Sequence, residues 1–318
     1  MSTEIVKADL ERLAGEAEKL AAESIAASTR RVYQADWHRY VAFCAEHELP
    51  PLGPAGQVAL YLTHRVEQGA KLATVSRALA AVSKAYQAAG LPNPRRDPAV
   101  ALVFSGARRR LGVSAEQVEA ILPTQLRAMV DRMPLVGCHR LRSLRNRALL
   151  TLGWSTGLRR STLVALDVAD LAWVPEGLRV RVRRSKTDQE GRGQTIGVPY
   201  ASTLSLCAVR CVREWLDEAG ITEGAIFRGT TPRGDGVTDH RLTDRQVGNI
   251  VAACARRAHL DGRYAGHSLR AGLVTTAVRA GKPLKSIMAQ TGHKTIEMIM
   301  RYVREQQVFA DNAAAGLL

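Results

Sequence analysis

The chain lacks the features that anchor a protein in a membrane or send it out of a cell. Its 318 residues hold no run of about 18 apolar side chains, the length that a membrane span requires. The N-terminal residues are rich in Glu and Ala and lack the basic and then apolar segments of a signal peptide. We therefore expect no membrane partner and a location in the cytosol.

Cysteine is sparse and irregularly placed. The cysteines are odd in number, no two form a CxxC pair, and they are scattered along the chain. This argues against a disulfide framework and against structural zinc. Cys207 and Cys211 are four residues apart and could share a helical face, and we expect them to pack in a core rather than bind a metal. The full set is Cys44, Cys138, Cys207, Cys211 and Cys254.

Lysine and acidic residues are also in short supply. The chain has 45 Lys and Arg against 30 Asp and Glu, a net charge of +15, and only 8 of the basic residues are Lys. The planar guanidinium of Arg suits phosphate oxygens, so this composition favours a polyanionic partner. Two alternatives stay open: the basic surface could serve solubility alone, and a GC-rich genome would produce the same preference for Arg.

The first 115 residues predict a leader followed by a small helical domain. Residues 1–23 carry six acidic and three basic side chains, with Ala and Leu at helical spacing, which indicates an amphipathic helix or a mobile arm. Residues 24–115 are typical of an all-helical domain, whose first helix Ser28 or Thr29 can cap. With 12 basic and 5 acidic residues, this domain could lay a helix against DNA.

Residues 116–318 predict a second domain that is mainly helical. Thr124 can cap its first helix, and residues 139–155 again show helical spacing. Helices dominate once more from residue 201 to the end of the chain.

A small antiparallel sheet is predicted within this second domain. From Leu178 to Arg184 apolar and basic residues alternate with period two, which marks a strand with one polar face. Residues 168–173 and 194–199 flank it, so we predict a three-stranded meander. Lys186 would lie where the second strand enters its turn.

Residues in the last third of the chain can handle a phosphate without a metal. His267 and Arg270 are three apart, so on a helix they lie on one face and can reach the same anion. His293 follows a glycine, and Tyr302 lies nine residues further on, where its phenol could attack a DNA phosphate. In this interpretation His267 accepts or positions the tyrosine proton, and His293 donates a hydrogen bond to a phosphate oxygen.

Two residues farther upstream complete this set. Arg159 adds a second guanidinium, which with Arg270 could stabilise charge on the non-bridging phosphate oxygens. Lys186 could give a proton to the departing 5′ oxygen as a general acid. Each residue alone has an ordinary alternative, because HxxR pairs are common, Arg159 could lie on the surface at a helix start, and Lys186 could be a hairpin charge. Together they indicate a phosphoryl-transfer site that needs no cofactor.

The order of these residues resembles the tyrosine recombinase family, also called phage integrases. The matching boxes are Thr156 to Arg159, the hairpin of Lys186, Gly266 to Arg270, and Gly292-His293 followed by Tyr302. The similarity extends over roughly residues 24–316. Many members carry an acidic residue three positions after the first arginine, where this chain has Thr162. That departure concerns the support of the site rather than catalysis.

The resemblance implies a two-domain, C-shaped DNA clamp. A SAM-like helical core-binding domain (24–115) would lie on one face of the duplex and a catalytic domain (116–318) on the other. A C-terminal exchange helix after Tyr302 would dock into a neighbouring subunit, with packing on its own domain as the alternative.

The activity implied by the resemblance is site-specific DNA recombination. Strands would be cut and rejoined through a 3′-phosphotyrosine and a Holliday junction, without metal or cofactor. The implied partners are double-stranded DNA with paired inverted-repeat sites and a homotetramer with one dimer at each site. A protein of bacterial or phage origin at the nucleoid is expected.

The helix predicted at 74–86 should enter the major groove, by its position in the family pattern. Ser76, Arg77, Ser83 and Lys84 face outward on it, although outward residues can also be simply solvated. An arginine run near the end of the domain could grip the DNA backbone or be a solvated charge run. The predicted DNA contacts are Arg31, Ser76, Arg77, Lys84, Arg108, Arg109 and Arg110.

Two other functions remain compatible with the sequence. A type IB topoisomerase-like enzyme shares the tyrosine chemistry but relaxes supercoils as a monomer, and the helical N-terminal domain and trailing helix disfavour it. A non-catalytic DNA-binding relative is disfavoured by the intact catalytic set.

Overall fold

The computed structural model describes residues 26–112, 118–183 and 193–300, together with residues 12–13 and 15–16. The chain divides into two compact units, Met1–Ala115 and Glu116–Leu318. Most of the predicted leader and all of the predicted exchange helix lie outside the described residues, as do Lys186 and Tyr302. Within the described ranges no helix has the length and apolarity that crossing a membrane requires.

The described part of the N-terminal unit is helical, as the sequence predicts. Its α-helices between residues 26 and 112 are α1 (Ala27–Glu46), α2 (Gly56–Glu67), α3 (Leu72–Ala88) and α4 (Pro98–Leu111). They enclose one apolar core in which Tyr40, Leu62 and Leu79 are at most 1% exposed. Burial of these side chains removes apolar surface from water and stabilises the unit.

The helix cap expected at Ser28 or Thr29 is wrong. α1 begins at Ala27, and Ala26 occupies the position before it without a side-chain cap. The backbone nitrogens of Thr29 and Arg30 donate to the carbonyl oxygen of Ala26 at 2.8 and 3.0 Å. Ser28 and Thr29 therefore lie inside the first turn of the helix, after the capping position.

α3 buries the apolar face that the sequence predicts, with one error. Ser83 was expected to face outward but is only 6% exposed, because it lies four residues after Leu79 and so shares its face. Arg77 is exposed, yet its Nε lies 2.6 Å from Oδ2 of the buried Asp36. This ion pair raises the pKa of Arg77 and links α3 to α1.

The C-terminal unit is mainly helical with two small antiparallel sheets. Its helices are α5 (Pro123–Asp131), α6 (Arg140–Thr156), α7 (Arg160–Val164), α8 (Ala208–Glu218), α9 (Asp244–Arg257), α10 (Gly266–Arg279) and α11 (Leu284–Thr291). Its strands are β1 (Leu171–Val174), β2 (Gly177–Val182), β3 (Gln194–Pro199), β4 (Arg228–Thr230) and β5 (Val237–Arg241). The predicted three-stranded meander is confirmed, since β1, β2 and β3 pair in that order and antiparallel.

Two details of this unit differ from the sequence prediction. Leu122, not Thr124, precedes α5, and Pro123 occupies the first helical position, where its missing N–H costs nothing. A second sheet, β4 paired with β5, was not predicted. Cys207 and Cys211 are buried in the apolar core, which agrees with the packing role expected for them.

α6 runs through the core of the C-terminal unit and ends at the candidate site. Most of its side chains after Leu144 are buried, and it packs against α8 and α10. On the α8 side Trp215 is buried and donates from Nε1 to the carbonyl oxygen of Ile226 at 2.8 Å.

Candidate active site

The first part of the site lies where α6 ends. Gly157 follows Thr156 in the left-handed conformation with a φ of 62°, which ends the helix. A methyl group at Gly157 would lie 2.8 Å from Cδ2 of Leu273 and 3.0 Å from Cγ2 of Thr291, so glycine is required for packing as well. Arg159 then stands immediately before α7 and is half-buried, and burial lowers its pKa.

The second part is the start of α10. This helix begins at Gly266, so His267 and Arg270 lie in its first two turns. His267 is exposed, whereas Arg270 is only 2% exposed. Arg270 donates from Nη1 to the carbonyl oxygen of Gly157 at 2.8 Å and to that of Thr291 at 2.5 Å. One guanidinium thus connects three segments that are far apart in sequence.

The third part is the end of α11. Gly292 takes a φ of 66° and ends the helix, and His293, which is 7% exposed, follows it. A further hydrogen bond holds this end against α6, because Nε2 of Gln290 donates to the carbonyl oxygen of Ser155 at 2.6 Å. His293 is thereby held near the segment that carries Arg159.

Thr291 determines which nitrogen of His293 carries hydrogen. Its Oγ1 lies 2.6 Å from the carbonyl oxygen of Ile287 and 2.7 Å from Nδ1 of His293. The hydroxyl has one hydrogen and a carbonyl oxygen can only accept, so the hydroxyl donates to Ile287 and accepts from Nδ1. The opposite arrangement would place two acceptor oxygens 2.6 Å apart without a hydrogen between them. A neutral His293 therefore carries its hydrogen on Nδ1 and none on Nε2.

Electrostatic interactions connect four of the residues that the sequence predicts as catalytic. Burial, followed by Arg270, Arg159 and His267, lowers the pKa of His293 to about 4. The loss of hydrating water next to the surrounding protein, followed by Arg270, Arg159 and Arg160, lowers the pKa of His267, although part of the residue stays exposed. At neutral pH both rings are therefore largely neutral beside two guanidinium ions. A cluster with this charge favours an anion.

Thr162, which stands where many relatives carry an acid, is buried beneath the site. It is 6% exposed and lines a cavity of about 420 Å³ together with Asp167, Asp170 and Arg183. Arg183 forms ion pairs with both aspartates, and its Nη2 lies 2.6 Å from Oδ2 of Asp170.

The remaining predicted residues lie elsewhere or outside the described part of the chain. Lys186 falls in the segment between β2 and β3 that the structure does not describe, and Tyr302 follows the last described residue. The predicted DNA contacts belong to the N-terminal unit, where all but the half-buried Ser76 are exposed. They are Arg31 on α1, Ser76, Arg77 and Lys84 on α3, and Arg108, Arg109 and Arg110 on α4. Their role in DNA binding stays a prediction.

The sequence interpretation missed two residues of the site. Thr291 immediately precedes the Gly292-His293 pair. Its hydroxyl contacts the imidazole of His293 because α11 ends at Thr291, and the sequence alone does not show this. Arg160 follows Arg159 directly, and its effect on His267 depends on the meeting of α7 with α10. The sequence does contain one indication of Arg160, because two consecutive arginines follow Leu158.

This arrangement defines a protein with a cationic centre, suited to an anion, in its C-terminal unit. Two solved structures share the fold. A lambda integrase dimer bound to a COC′ core site has a TM-score of 0.59 and 18% identity, covering 91% of this chain and 93% of that chain. The Tn1549 transposon integrase in complex with transposon right end DNA has a TM-score of 0.60 and 15% identity, covering 90% and 92%.

Sequence comparison gives the family. The phage integrase family model matches residues 93–308. An integrase/recombinase described as a XerD homologue, from Selenomonas ruminantium, is 35% identical over 307 residues, which are 95% of this chain and 89% of the relative. The Cre recombinase of Escherichia phage P1 is 26% identical over 264 residues, 77% of this chain and 74% of the relative. The chain therefore belongs to the phage integrase family, the tyrosine recombinases, whose members are site-specific recombinases. The predicted family, fold class and enzyme class are confirmed.

Proposed function

We propose that this recombinase cuts and rejoins double-stranded DNA with Tyr302 as its nucleophile and without a metal or cofactor. The observation that supports this most directly is the bonding of Arg270 to the carbonyl oxygens of Gly157 and Thr291. Through it, Arg159, His267, Arg270 and His293 form one cluster, although they span more than a hundred residues. Such a cluster suits the phosphorus centre of a phosphodiester.

The two arginines bind the reacting phosphate. Negative charge spreads over the non-bridging oxygens as the reaction proceeds, and fixed donors aimed at those oxygens are usually the largest catalytic contribution. Arg270 is fixed by its carbonyl bonds and by burial, and Arg159 is held at the junction between α6 and α7. Neither has to reorganise during the reaction.

Proton transfers accompany the attack. The phenol oxygen of Tyr302 bonds to phosphorus and the bond from phosphorus to the 5′ oxygen breaks, which leaves a 3′-phosphotyrosine. His267 accepts or positions the phenol proton, and Lys186 gives a proton to the departing 5′ oxygen. The bond energy stays in the phosphotyrosine, so a 5′-hydroxyl can rejoin the strand by the reverse steps without ATP.

His293 donates to a phosphate oxygen only in its protonated form. Its hydrogen-bonded Nδ1 keeps one hydrogen for Thr291, so Nε2 can donate after it takes up a second. An entering phosphate opposes the effect of Arg159 and Arg270 and raises the pKa of His293 from its low value in the free protein. Phosphate binding and protonation of His293 therefore support each other.

The proposed assembly is a homotetramer on two paired inverted-repeat sites, with a dimer at each site and a Holliday junction between strand exchanges. A solved lambda integrase tetramer bound to a Holliday junction shares this chain's fold, with a TM-score of 0.58 at 17% identity. The DNA of a bacterial or phage genome is the proposed substrate, and the cytoplasm the proposed location.

The decisive experiment is covalent trapping on DNA. The target site is first mapped by sequencing DNA bound in cells, and a nicked suicide duplex of that site is incubated with pure protein. Tyr302→Phe should keep DNA binding and lose the covalent adduct, whereas Tyr200→Phe, which changes an exposed tyrosine, should keep both. An undiminished adduct with Tyr302→Phe would contradict the proposal. Relaxation of a plasmid without the site would favour the topoisomerase, and failure of the wild-type protein to form an adduct would favour the non-catalytic relative.

A further inference from the structure

Arg160 lies across the start of the helix that carries His267. It is the first residue of α7, and its aliphatic stem packs on Gly266, where a methyl group would lie 2.1 Å from its Cδ. Its Nη1 approaches α9, since a methyl group at Gly248 would lie 3.2 Å from that nitrogen. The guanidinium is thus held where α7, α9 and α10 meet, one residue from Arg159.

Among the residues that the structure describes, the charge of Arg160 is only weakly neutralised. Its described carboxylate partner is Asp244, 3.8 Å away, and the two side chains are 44% and 53% exposed. An exposed ion pair at this distance contributes little stability and is readily replaced by another anion. Arg160 can therefore exchange Asp244 for a phosphate at small cost.

The position of Arg160 extends the cationic cluster in one direction. All three arginines lower the pKa of His267, whereas Arg270 and Arg159 are the arginines that lower the pKa of His293. The contact of its stem with Gly266, the residue before His267, places Arg160 at the His267 end of the cluster. A DNA strand carries one phosphate for about every 3.4 Å of helix axis, so a strand that crosses the cluster presents further phosphates on either side of the reacting one.

We infer that Arg160 binds the DNA phosphate next to the one that reacts, on the His267 side of the site. The inference rests on the proposed function for the identity of the reacting phosphate. It adds a substrate contact outside the predicted catalytic set and gives Gly266 a purpose, because any side chain there would displace the stem of Arg160.

The first test measures salt dependence and does not require cleavage. Binding of a short duplex of arbitrary sequence is measured between about 50 and 200 mM salt for the wild type and for Arg160→Met. Loss of one phosphate contact should make the slope of log K against log salt less negative by about 0.9, and Arg160→Lys should keep most of the slope.

The matched control is Arg140→Met. Arg140 is also an exposed arginine paired with a carboxylate, that of Glu218, but it begins α6, whose 17 residues place it about 25 Å from the site. Its slope should equal that of the wild type. A thermal melt of each variant shows whether it folds. An unchanged slope for folded Arg160→Met would overturn the inference.

The second test locates the phosphate on the mapped site. In a Tyr302→Phe background, either phosphate beside the cleavage position is replaced by an uncharged methylphosphonate. Arg160→Met should weaken binding of the unmodified site about tenfold, and this loss should vanish on one of the two modified duplexes. The same loss on both would overturn the inference. If the proposed function is wrong, the wild-type protein forms no covalent adduct on the suicide duplex. The salt test does not depend on cleavage, so its result can still be interpreted.

Discussion

Arg270 donates from Nη1 to the carbonyl oxygen of Gly157 at 2.8 Å, across 113 positions of sequence. The same nitrogen donates to Thr291, whose hydroxyl in turn accepts from His293. The guanidinium that we propose as a phosphate ligand is therefore also the structural link between the elements that carry Arg159 and His293. The segments around Gly157, Arg270 and Thr291 are therefore positioned by hydrogen bonds to one another's backbone.

Arg270→Lys should separate these two roles. An ammonium keeps the positive charge but cannot bridge two carbonyl oxygens and still present a fork to a phosphate. We expect single-turnover cleavage to fall about hundredfold or more, and the DNA dissociation constant to change by much less, because the lost donors act on the transition state. Arg279→Lys, an exposed change at the end of the same helix, should be close to wild type. Equal losses in cleavage and binding would make Arg270 a binding residue instead.

Gly157→Ala should show that the site depends on the backbone at the end of α6. Gly157 and Gly220 have nearly equal φ values, 62° and 63°, but a methyl group meets Leu273 and Thr291 at Gly157 and nothing within 4 Å at Gly220. We expect Gly220→Ala to lower the free energy of unfolding by about 1 kcal/mol through strain alone. Gly157→Ala should cost about 1–3 kcal/mol more through overpacking, and it should also slow cleavage. Urea denaturation and suicide-substrate assays measure the two effects, and equal costs would contradict the packing argument.

The periodic parts of the fold were predictable from the sequence. Helical spacing located α1, α3 and α6, and alternation from Leu178 onward located β2, because these elements bury one apolar face. α4 was not singled out, although Asp97 and Pro98 form a clear start signal: the Asp97 carboxylate accepts from the N–H groups of Ala99 and Val100. The long apolar pattern of α3 was easier to recognise than a cap.

The second sheet could not be found in this way. β4 and β5 are short and polar, and all their residues are at least partly exposed, so no apolar alternation marks them. Their position depends on contacts from α6, where Arg142 and Arg145 donate to Thr230 and to carbonyl oxygens of the hairpin. Such tertiary contacts leave no local pattern in the sequence.

The candidate site also has features that the sequence predicts and features that depend on tertiary contacts. Residue types and spacing were enough to select Arg159, His267, Arg270 and His293, because the chemistry requires those side chains. The backbone acceptors of Arg270 and the hydroxyl of Thr291 were not predictable, since they depend on where two helices end.

His293 should make the protein less stable in mild acid. Its pKa is lowered from 6.5 to about 4 by burial and by Arg270, Arg159 and His267, so between these values the unfolded chain binds more protons than the folded one. Stability contributed by this group is complete above about pH 6.5 and is lost as the pH falls toward 4. Between about pH 7 and 5 the wild type should lose about 1–2 kcal/mol more of its unfolding free energy than His293→Gln. Denaturant titrations at the two pH values measure this, and equal losses would show that the ring is not held neutral.

Thr291→Val should change how cleavage responds to pH. Valine has nearly the same shape but cannot accept from Nδ1, so a neutral His293 is free to carry its hydrogen on Nε2 and to donate to phosphate without being protonated. We expect wild-type cleavage to decline with rising pH as protonated His293 is lost, and the decline to be clearly smaller in Thr291→Val. The absolute rate at the lower pH should fall about tenfold, because the ring loses a hydrogen bond that holds it.

The control for this change is Thr276→Val on the neighbouring helix. The Oγ1 of Thr276 is buried and finds no hydrogen-bond partner among the described residues, so its removal should leave the rate and pH profile unchanged and leave stability unchanged or raised. Because both variants replace a threonine hydroxyl by a methyl group near the end of α10 or α11, general effects of the substitution cancel between them. Identical pH profiles for the wild type and Thr291→Val would mean that Thr291 does not select the tautomer of His293. A flattened profile confined to Thr291→Val would instead assign the alkaline decline to the imidazole that this hydroxyl orients.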